Sequence, residues 1–507
     1  MNSINYWKKM VGDDYDKIKK FTRMQDLLEY INKEYNKRTA VSWVNGKRSY
    51  SELYEDIAKA RKVLLDAGIK KGMNVAMIFK NEYNYVKTFF ALTTLGAVAV
   101  IVPPVLPSQA LYGSIKKFDI EAVVYGEEAE TNITALKDMV SSIPYVSYNE
   151  LNNLKESAPA DDSVKPTDAA AIMFTGGTTG TPKGAVLSHR ALLRGAYNGC
   201  FCEGEVFFNT YMALVPFFHV FGLVRNLLTS LSTGSNIYLV REMMSFIKEI
   251  NIAKPNILVL VPALANLIYS MVAQHGKEAV GGKLEWIICG GAHVTPDTIQ
   301  RLLSVGIKCC PGYGLTETAN LVSGSINYKD KPESVGMIYP EQDVKLVNGE
   351  IWVKGDNLFD GYYKDPVETN HAMSEDGYMK TGDLGRFDED GFLYIVGRNK
   401  NIIVLDNGEN VSPEMIEDAL DNIPLVNSSL IYEDRNSQGR GIIAVKIFPN
   451  YNVLKKLGYE DAEKAIQGVV EKVNAKMPQH MRISKVAVLK EDFKRSGSMK
   501  IIRKANV

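Results

Sequence analysis

A chain of 507 residues is too long for one ordinary hydrophobic core, so at least two domains are expected. Hydrophobic residues make up 46% and charged residues 23%, the ordinary balance of a globular protein. Lys plus Arg equals Asp plus Glu at 59 each, which gives no reason to expect nucleic acid or another polyanion as partner.

The N-terminus, MNSINYWKKMVGDDYDK, has no apolar segment behind its basic residues, so no secretory signal is expected and the cytoplasm is the default location. The longest apolar runs, near Leu95–Val105 and Ile257–Ala265, are too short to span a bilayer. Helical spacing predicts a helix over Ser51–Ala67, with the serine as its cap and Gly68 as its stop. A strand at Asn74–Phe79, a helix at Tyr83–Leu95 and a strand at Ala97–Val102 follow, an order that implies a mostly parallel sheet covered by helices. Ser147–Thr167 reads as a connection. A second alternating region then brings strands at Ala170–Phe174, Tyr211–Val215, Asn256–Val261 and Trp286–Cys289. From Val335 to Val396, strand-like pieces broken by DG and NG turns indicate antiparallel structure. Beyond Gly397 lies a compact α+β tail, with a helix starting near Pro413, another around Ala462–Lys476, and strands around Ser428–Tyr432, Ile442–Phe448 and Ala487–Leu489. The five cysteines, Cys200, Cys202, Cys289, Cys309 and Cys310, form no CxxC pair and read as small interior or loop residues.

The strongest local signal is Thr175-Gly176-Gly177-Thr178-Thr179-Gly180-Thr181-Pro182-Lys183, placed between a predicted strand and a helix-like run from His189. Its glycines allow a ligand close to the backbone, its amides and hydroxyls donate to phosphate oxygens, and Lys183 adds positive charge. Thr181 and Pro182 separate Gly180 from Lys183, so the GxxxxGK[ST] phosphate loop is not the pattern here.

This segment resembles the signature loop of the adenylate-forming superfamily, which includes acyl- and aryl-CoA synthetases, peptide-synthetase adenylation domains and luciferases. PFFHVFG (216–222), GYGLTET (312–318), GEIWVKGDNLFDGYYKDP (349–366), YMKTGDLG (378–385), GRNKNIIVLDNGENVSPEMIE (397–417) and KRSGSMKIIRK (494–504) match further motifs in order. The NGENVSP wording is similar to bacterial fatty-acid-type synthetases. The resemblance implies an α/β fold: a large N-terminal domain (1–397) with parallel-sheet subdomains and a small β-barrel-like part, and a small mobile α+β domain (398–507) hinged near Lys400. It implies ATP-dependent conversion of an organic acid to acyl-AMP, with release of pyrophosphate, then acyl transfer to coenzyme A. Mg²⁺ is the implied metal. The alternative acceptor is an acyl-carrier protein, and a non-catalytic nucleotide sensor is the alternative from another class.

Roles carry over residue by residue. Lys500 matches the lysine bridging acyl carboxylate and ATP. Asp383 and Arg398 match the residues that hold the nucleotide, the aspartate through ribose hydroxyls. Glu317 matches the carboxylate that helps hold Mg²⁺. Thr316, Gly312, Tyr313 and Gly314 would border the nucleotide, and Thr175, Gly176, Gly177, Thr178, Thr179, Gly180 and Lys183 its phosphates. His219 matches the residue near the acyl and thiol ends. Gly408 lies in the loop expected to approach the pantetheine arm after rotation about Lys400. Two departures stand out: Met499 occupies a position where many members have glycine, and the chain is one residue longer between Val404 and Gly408 than aryl-CoA ligases. Amino-acid-activating relatives carry an acidic residue where His219 stands, to pair with the substrate ammonium. Its absence implies an uncharged aliphatic or aromatic tail, with Gly290, Gly291, Ala292 and Cys310 as small candidates for the far wall.

Overall fold

The computed structural model describes residues 3–153, 155–175, 183–201, 205–326, 328–406, 409–421, 423–494 and 501–506. Among these, seven strands make one sheet in which Asn74–Ile78 runs parallel to both Val98–Ile101 and Ile120–Tyr125. Every residue of Asn74–Ile78 is buried, which explains its unbroken apolar run: helices cover both faces of a parallel sheet. Nine strands make a second sheet, with Thr210–Ala213, Ile257–Leu260, Trp286–Cys289 and Lys308–Tyr313 side by side and parallel. Parallel neighbours need a crossover, here supplied by helices such as Pro262–His275 and Pro296–Ser304, each with proline in its first turn.

Asp343–Val347, Glu350–Lys354, Met379–Phe387 and Leu393–Arg398 form the expected antiparallel sheet. In the tail, Val426–Arg435, Gly441–Pro449 and Ile483–Val488 pack on helices Pro413–Asp421 and Ala462–Asn474 around their own core of Ile416, Leu420, Ile431, Val445, Ile466 and Val470. The helix Pro413–Asp421 reaches the loop after Trp286–Cys289, where Asp418 Oδ2 lies 3.9 Å from His293 Nε2. No helix among the described residues is long and apolar enough to cross a membrane.

Two local expectations change. The first long helix is Tyr50–Asp66, capped by Ser49 rather than Ser51: the Ser49 hydroxyl accepts from Glu52 N–H while the Glu52 carboxylate accepts from Ser49 N–H. This reciprocal box needs an acid three residues after the cap, and Ser49 has one. The Gly/Thr-rich segment follows a strand and precedes the helix that starts at His189, as expected, but a second strand intervenes. Lys183–Ser188 is a strand antiparallel to Ala169–Thr175, with Thr175 paired to Lys183, and the helix His189–Gly199 starts only after it. Buried Ala185 and Leu187 pin that strand to the sheet.

His189 opens that helix fully buried, its Nδ1 accepting the Met24 N–H at 3.2 Å. Burial lowers its pKa to about 4, against the opposing pull of Asp168. An unfolded imidazole titrates near ~6.5, so the folded chain binds fewer protons between these values. The stabilisation is therefore complete above about pH 6.5 and is lost as pH falls toward the folded value, by on the order of 3 kcal/mol. His189→Gln should flatten the fall in denaturation midpoint between about pH 7 and pH 5; an unchanged slope would assign the acid sensitivity to other groups.

Candidate active site

The C-terminal ends of parallel strands are where ligands bind in open α/β sheets. Thr175, Ala213, Cys289 and Tyr313 end such strands here, and the chain after Ala213 and Tyr313 carries His219, Gly314, Thr316 and Glu317.

Asp383 lies opposite Arg398 in adjacent antiparallel strands, a register that brings their side chains together. Its carboxylate accepts from Tyr313 Oη at 2.7 Å and pairs with Arg398 Nε at 2.9 Å. Asp383 is 3% exposed, while the Arg398 side chain is 40% exposed, so the charge pair is open on the arginine side. Burial, then the Asp383 charge, hold the Tyr313 phenol well above its ordinary pKa, so it remains a donor.

The loop after Tyr313 folds tightly. A Cβ on Gly314 would stand 1.4 Å from the Asn320 carbonyl oxygen. Ala319 and Asn320 take left-handed backbone angles of φ 44° and 84°. Leu315 N–H donates to Thr318 Oγ1 at 2.9 Å, and buried Asn357 donates from Nδ2 to the carbonyls of Thr318 and Leu321 at 2.9 and 3.2 Å. These contacts set the one-turn helix Thr316–Thr318, which carries Glu317. Tyr362 Oη donates to Glu317 Oε1 at 2.8 Å. The Lys183 ammonium lies 4.8 Å from the centre of the Tyr362 ring and pairs with Glu368. Lysine, ring and carboxylate thus form a continuous polar line, fixed because Gly361–Tyr362 pairs antiparallel with Lys183–Ser188.

His219 stands on a separate turn. Phe217 is buried beneath it, its N–H donating to Asn81 Oδ1 at 2.8 Å and its carbonyl accepting from Tyr85 Oη at 2.8 Å. The half-buried His219 ring lies 4.7 Å from that of Phe218. The chain then enters the π-helix Phe221–Leu228, and Gly222 is required there because a Cβ would meet Pro216 O at 2.2 Å. Of the small residues expected at the far wall, Gly290 does face Phe221, whose Cζ would be 3.3 Å from an added Cβ. Cys310 is buried, and Gly291 and Ala292 are exposed.

The structure therefore gathers Tyr313, Asp383 and Arg398, and separately Lys183 and Glu317, with Gly312, Gly314 and Thr316 shaping the connecting loop and Thr175 at its neighbouring strand end. Lys400 sits exposed in the turn Asn399–Asn401 directly after Arg398. Gly176, Gly177, Thr178, Thr179, Gly180, Gly408, Lys500 and Cys202 lie outside the described residues. Tyr362, Glu368, Asn357 and Asn81 were not singled out from sequence. Tyr362 and Asn357 fall inside the quoted 349–366 motif, the one signal that could have found them.

No group of three or more His, Cys, Asp or Glu converges among the described residues, as a zinc or calcium cage would require. The acids of this region are Glu317, its carboxylate held by the Tyr362 phenol, and Glu368, paired with Lys183.

Residues 28–363 match the model of the AMP-binding enzyme family, and residues 400–507 that of the AMP-binding enzyme C-terminal domain. The chain belongs to the AMP-binding enzyme family. It is 27% identical over 484 residues to a 2-succinylbenzoate–CoA ligase of Bacillus cereus, covering 92% of this chain and 94% of that protein. It is 26% identical to long chain acyl-CoA synthetase 6, peroxisomal, of Arabidopsis thaliana, over 75% of this chain and 66% of that protein. In fold it matches an anthranilate CoA ligase in complex with anthranoyl-AMP, with a TM-score of 0.85, 17% identity, and coverage of 96% of this chain and 97% of that one. This AMP-binding enzyme is an acid–thiol ligase by class, and a carboxylic acid, ATP, Mg²⁺ and coenzyme A are the reactants and metal of that class.

Proposed function

We propose that this AMP-binding enzyme joins an organic acid with an uncharged tail, of fatty or aromatic type, to coenzyme A in the cytoplasm. A carboxylate oxygen attacks the α-phosphorus of ATP, the bond to the bridging β-phosphate oxygen breaks, and pyrophosphate leaves. The thiol sulfur then attacks the acyl carbon, the acyl–oxygen bond breaks, and AMP leaves. Neither step needs a protein nucleophile, so positioning and charge neutralisation do the work.

The observation that carries this reading is the buried Asp383 carboxylate, held between Tyr313 and Arg398, the latter two residues before Lys400. A preorganised acceptor beside a half-exposed guanidinium suits ribose hydroxyls and a phosphate. Lys183 would meet phosphate oxygens. Glu317 would help hold Mg²⁺, which neutralises charge on the phosphates. Lys500 would bridge acid and ATP in the first step. The core of the tail is separate from that of the N-terminal part, which supports a boundary at 397/398 and rotation about Lys400 between the two steps. Phe217, Phe218 and Phe221 around His219 favour an uncharged acyl tail.

ATP–pyrophosphate exchange over short, medium and long fatty acids, aryl acids, dicarboxylic acids and amino acids tests the first step. Exchange with monocarboxylic fatty or aryl acids supports the proposal. Exchange with dicarboxylic acids alone would overturn the uncharged tail, and no exchange with folded protein and Mg²⁺ would overturn the activity. Lys500→Ala should cut exchange by about 10²-fold or more yet leave thiol transfer from a supplied acyl-AMP within a few fold. Equal loss of both half-reactions would remove the division of labour.

A further inference from the structure

Behind the His219 turn lies a cleft with a cavity volume of about 440 Å³, within the range of small-molecule sites. It opens between the two large sheets. The helix Tyr50–Asp66, the entry to helix Tyr83–Thr94 and the end of helix Tyr148–Asn152 line it, together with the hairpin Thr39–Trp43/Gly46–Ser49 and the end of strand Asn236–Leu239.

Its charges are unevenly matched. Arg48 pairs with Asp56 at 3.2 Å, and Arg241 with Glu127 and Glu128 at 2.7 and 2.5 Å. Lys59 and Lys87 have no carboxylate in direct contact among the described residues. Lys87 is 3% exposed, and its ammonium donates to a neutral group, the Leu151 carbonyl, at 2.6 Å. Burial lowers its pKa to about 8, as expected for a cation with too little compensating charge. The acids facing the cleft are Asp56, engaged by Arg48 and by Tyr83 Oη at 2.8 Å, and Glu82, whose pKa burial raises to about 7. A compact anion would give buried Lys87 the direct charge partner that the more distant Asp56 and Glu82 do not, with Lys59 at the same cleft as a second cation. Beside them the rings of Trp43 and Tyr83 stack on each other with centroids 5.3 Å apart and present apolar edges to the cleft, and Asn84 and Asn152 line the same space.

The cleft also touches the catalytic region. Asn81 lines it, and its side chain brackets the chain leading to His219: Nδ2 donates to the carbonyls of Ala213 and Val215 at 3.1 and 3.0 Å, and Oδ1 accepts from Phe217 N–H at 2.8 Å.

We propose that this cleft is a second, regulatory site for a small organic anion on a planar ring, with the charged head between Lys59 and Lys87, the ring against Trp43 and Tyr83, and occupancy felt at the His219 turn through Asn81. Carboxylates and phosphate monoesters share this chemistry, and the experiment separates them.

Titrate the full chain with benzoate and, separately, with phenyl phosphate, following tryptophan emission. A saturable change with at least one of them is expected. It should disappear in Trp43→Phe and shift to about tenfold or higher concentration in Lys59→Gln, the loss of one charged partner. Saturation by benzoate alone assigns a carboxylate, and by phenyl phosphate alone a phosphate monoester. No saturable change with either, or a change identical in both variants, overturns the site, the latter because the anion would then be reporting from the acyl pocket. With the anion saturating, the KM for the acid in pyrophosphate exchange should shift in wild type and not in Lys59→Gln; an unmoved KM overturns the coupling.

Discussion

Asp383→Ala is expected to lower kcat/KM for ATP in pyrophosphate exchange by about 10²-fold or more, and to destabilise the protein at the same time. Two donors lose their acceptor, the Tyr313 phenol and the Arg398 guanidinium. A hydrogen bond to a charged group contributes about 1.5–3 kcal/mol, and each 1.4 kcal/mol is about a factor of ten, so the loss at a nucleotide held by this cluster reaches that range. The buried Tyr313 hydroxyl loses its charged acceptor and keeps only the Thr381 hydroxyl beside it, which adds about 1 kcal/mol of lost stability. Asp383→Asn separates the two effects. The amide oxygen keeps an acceptor for Tyr313, so the denaturation midpoint should stay near wild type while activity still falls, because the negative charge facing Arg398 is gone. Exchange kinetics and a denaturation curve on both variants decide the matter. Wild-type kcat/KM in Asp383→Asn would show that the charge is not used.

The second large effect is steric. In Gly314→Ala the new methyl would stand 1.4 Å from the Asn320 carbonyl oxygen and 2.3 Å from its carbon. Both are backbone atoms, so no side-chain rotation relieves the clash and the loop must open. Overpacking of this kind costs about 1–3 kcal/mol or more. The segment that must move carries Tyr313 at one end and Glu317 at its turn, and a displacement of about 1 Å at a reacting site costs about 10²-fold in rate. Gly68→Ala is the control. Gly68 has φ +84° with nothing within 4 Å of an added Cβ, so alanine there is strained in backbone but not in space. It should cost about 1 kcal/mol and leave activity unchanged. Equal activity loss in the two variants would show that the Gly314 effect is global unfolding rather than loop geometry.

Much of the architecture was legible in advance because its signals are local. Trp286–Cys289 is a strand over the residues that its apolar run marks, and Asn74–Ile78 and Ala169–Thr175 differ from expectation by a residue at their ends. The helix Tyr50–Asp66 begins one residue earlier than its spacing predicts because Ser49 and Ser51 are both plausible caps, and only the contact with Glu52 distinguishes them. Lys183–Ser188 does not read as a strand because glycine and a following helix dominate its neighbourhood. Its pairing partner, Ala169–Thr175, lies on the other side of a Gly/Thr-rich sequence that carries no strand signal.

The chain by itself determined the family and the order of most strands and helices, since these rest on ordered motifs and on the periodicity of apolar residues. Only the tertiary structure decided which of those residues meet. The register of Met379–Phe387 against Leu393–Arg398 aims Asp383 at Arg398, and the crossover from Lys308–Tyr313 brings Tyr313 to the same carboxylate across 70 positions of sequence. Tyr362 joins Lys183 to Glu317 through a two-residue strand too short to leave a pattern of its own. The cleft of Lys59, Lys87 and Trp43 was equally invisible, because its walls come from a hairpin, three helices and a strand end. Each looks like an ordinary surface alone, and the closing of two sheets against one another makes them a site.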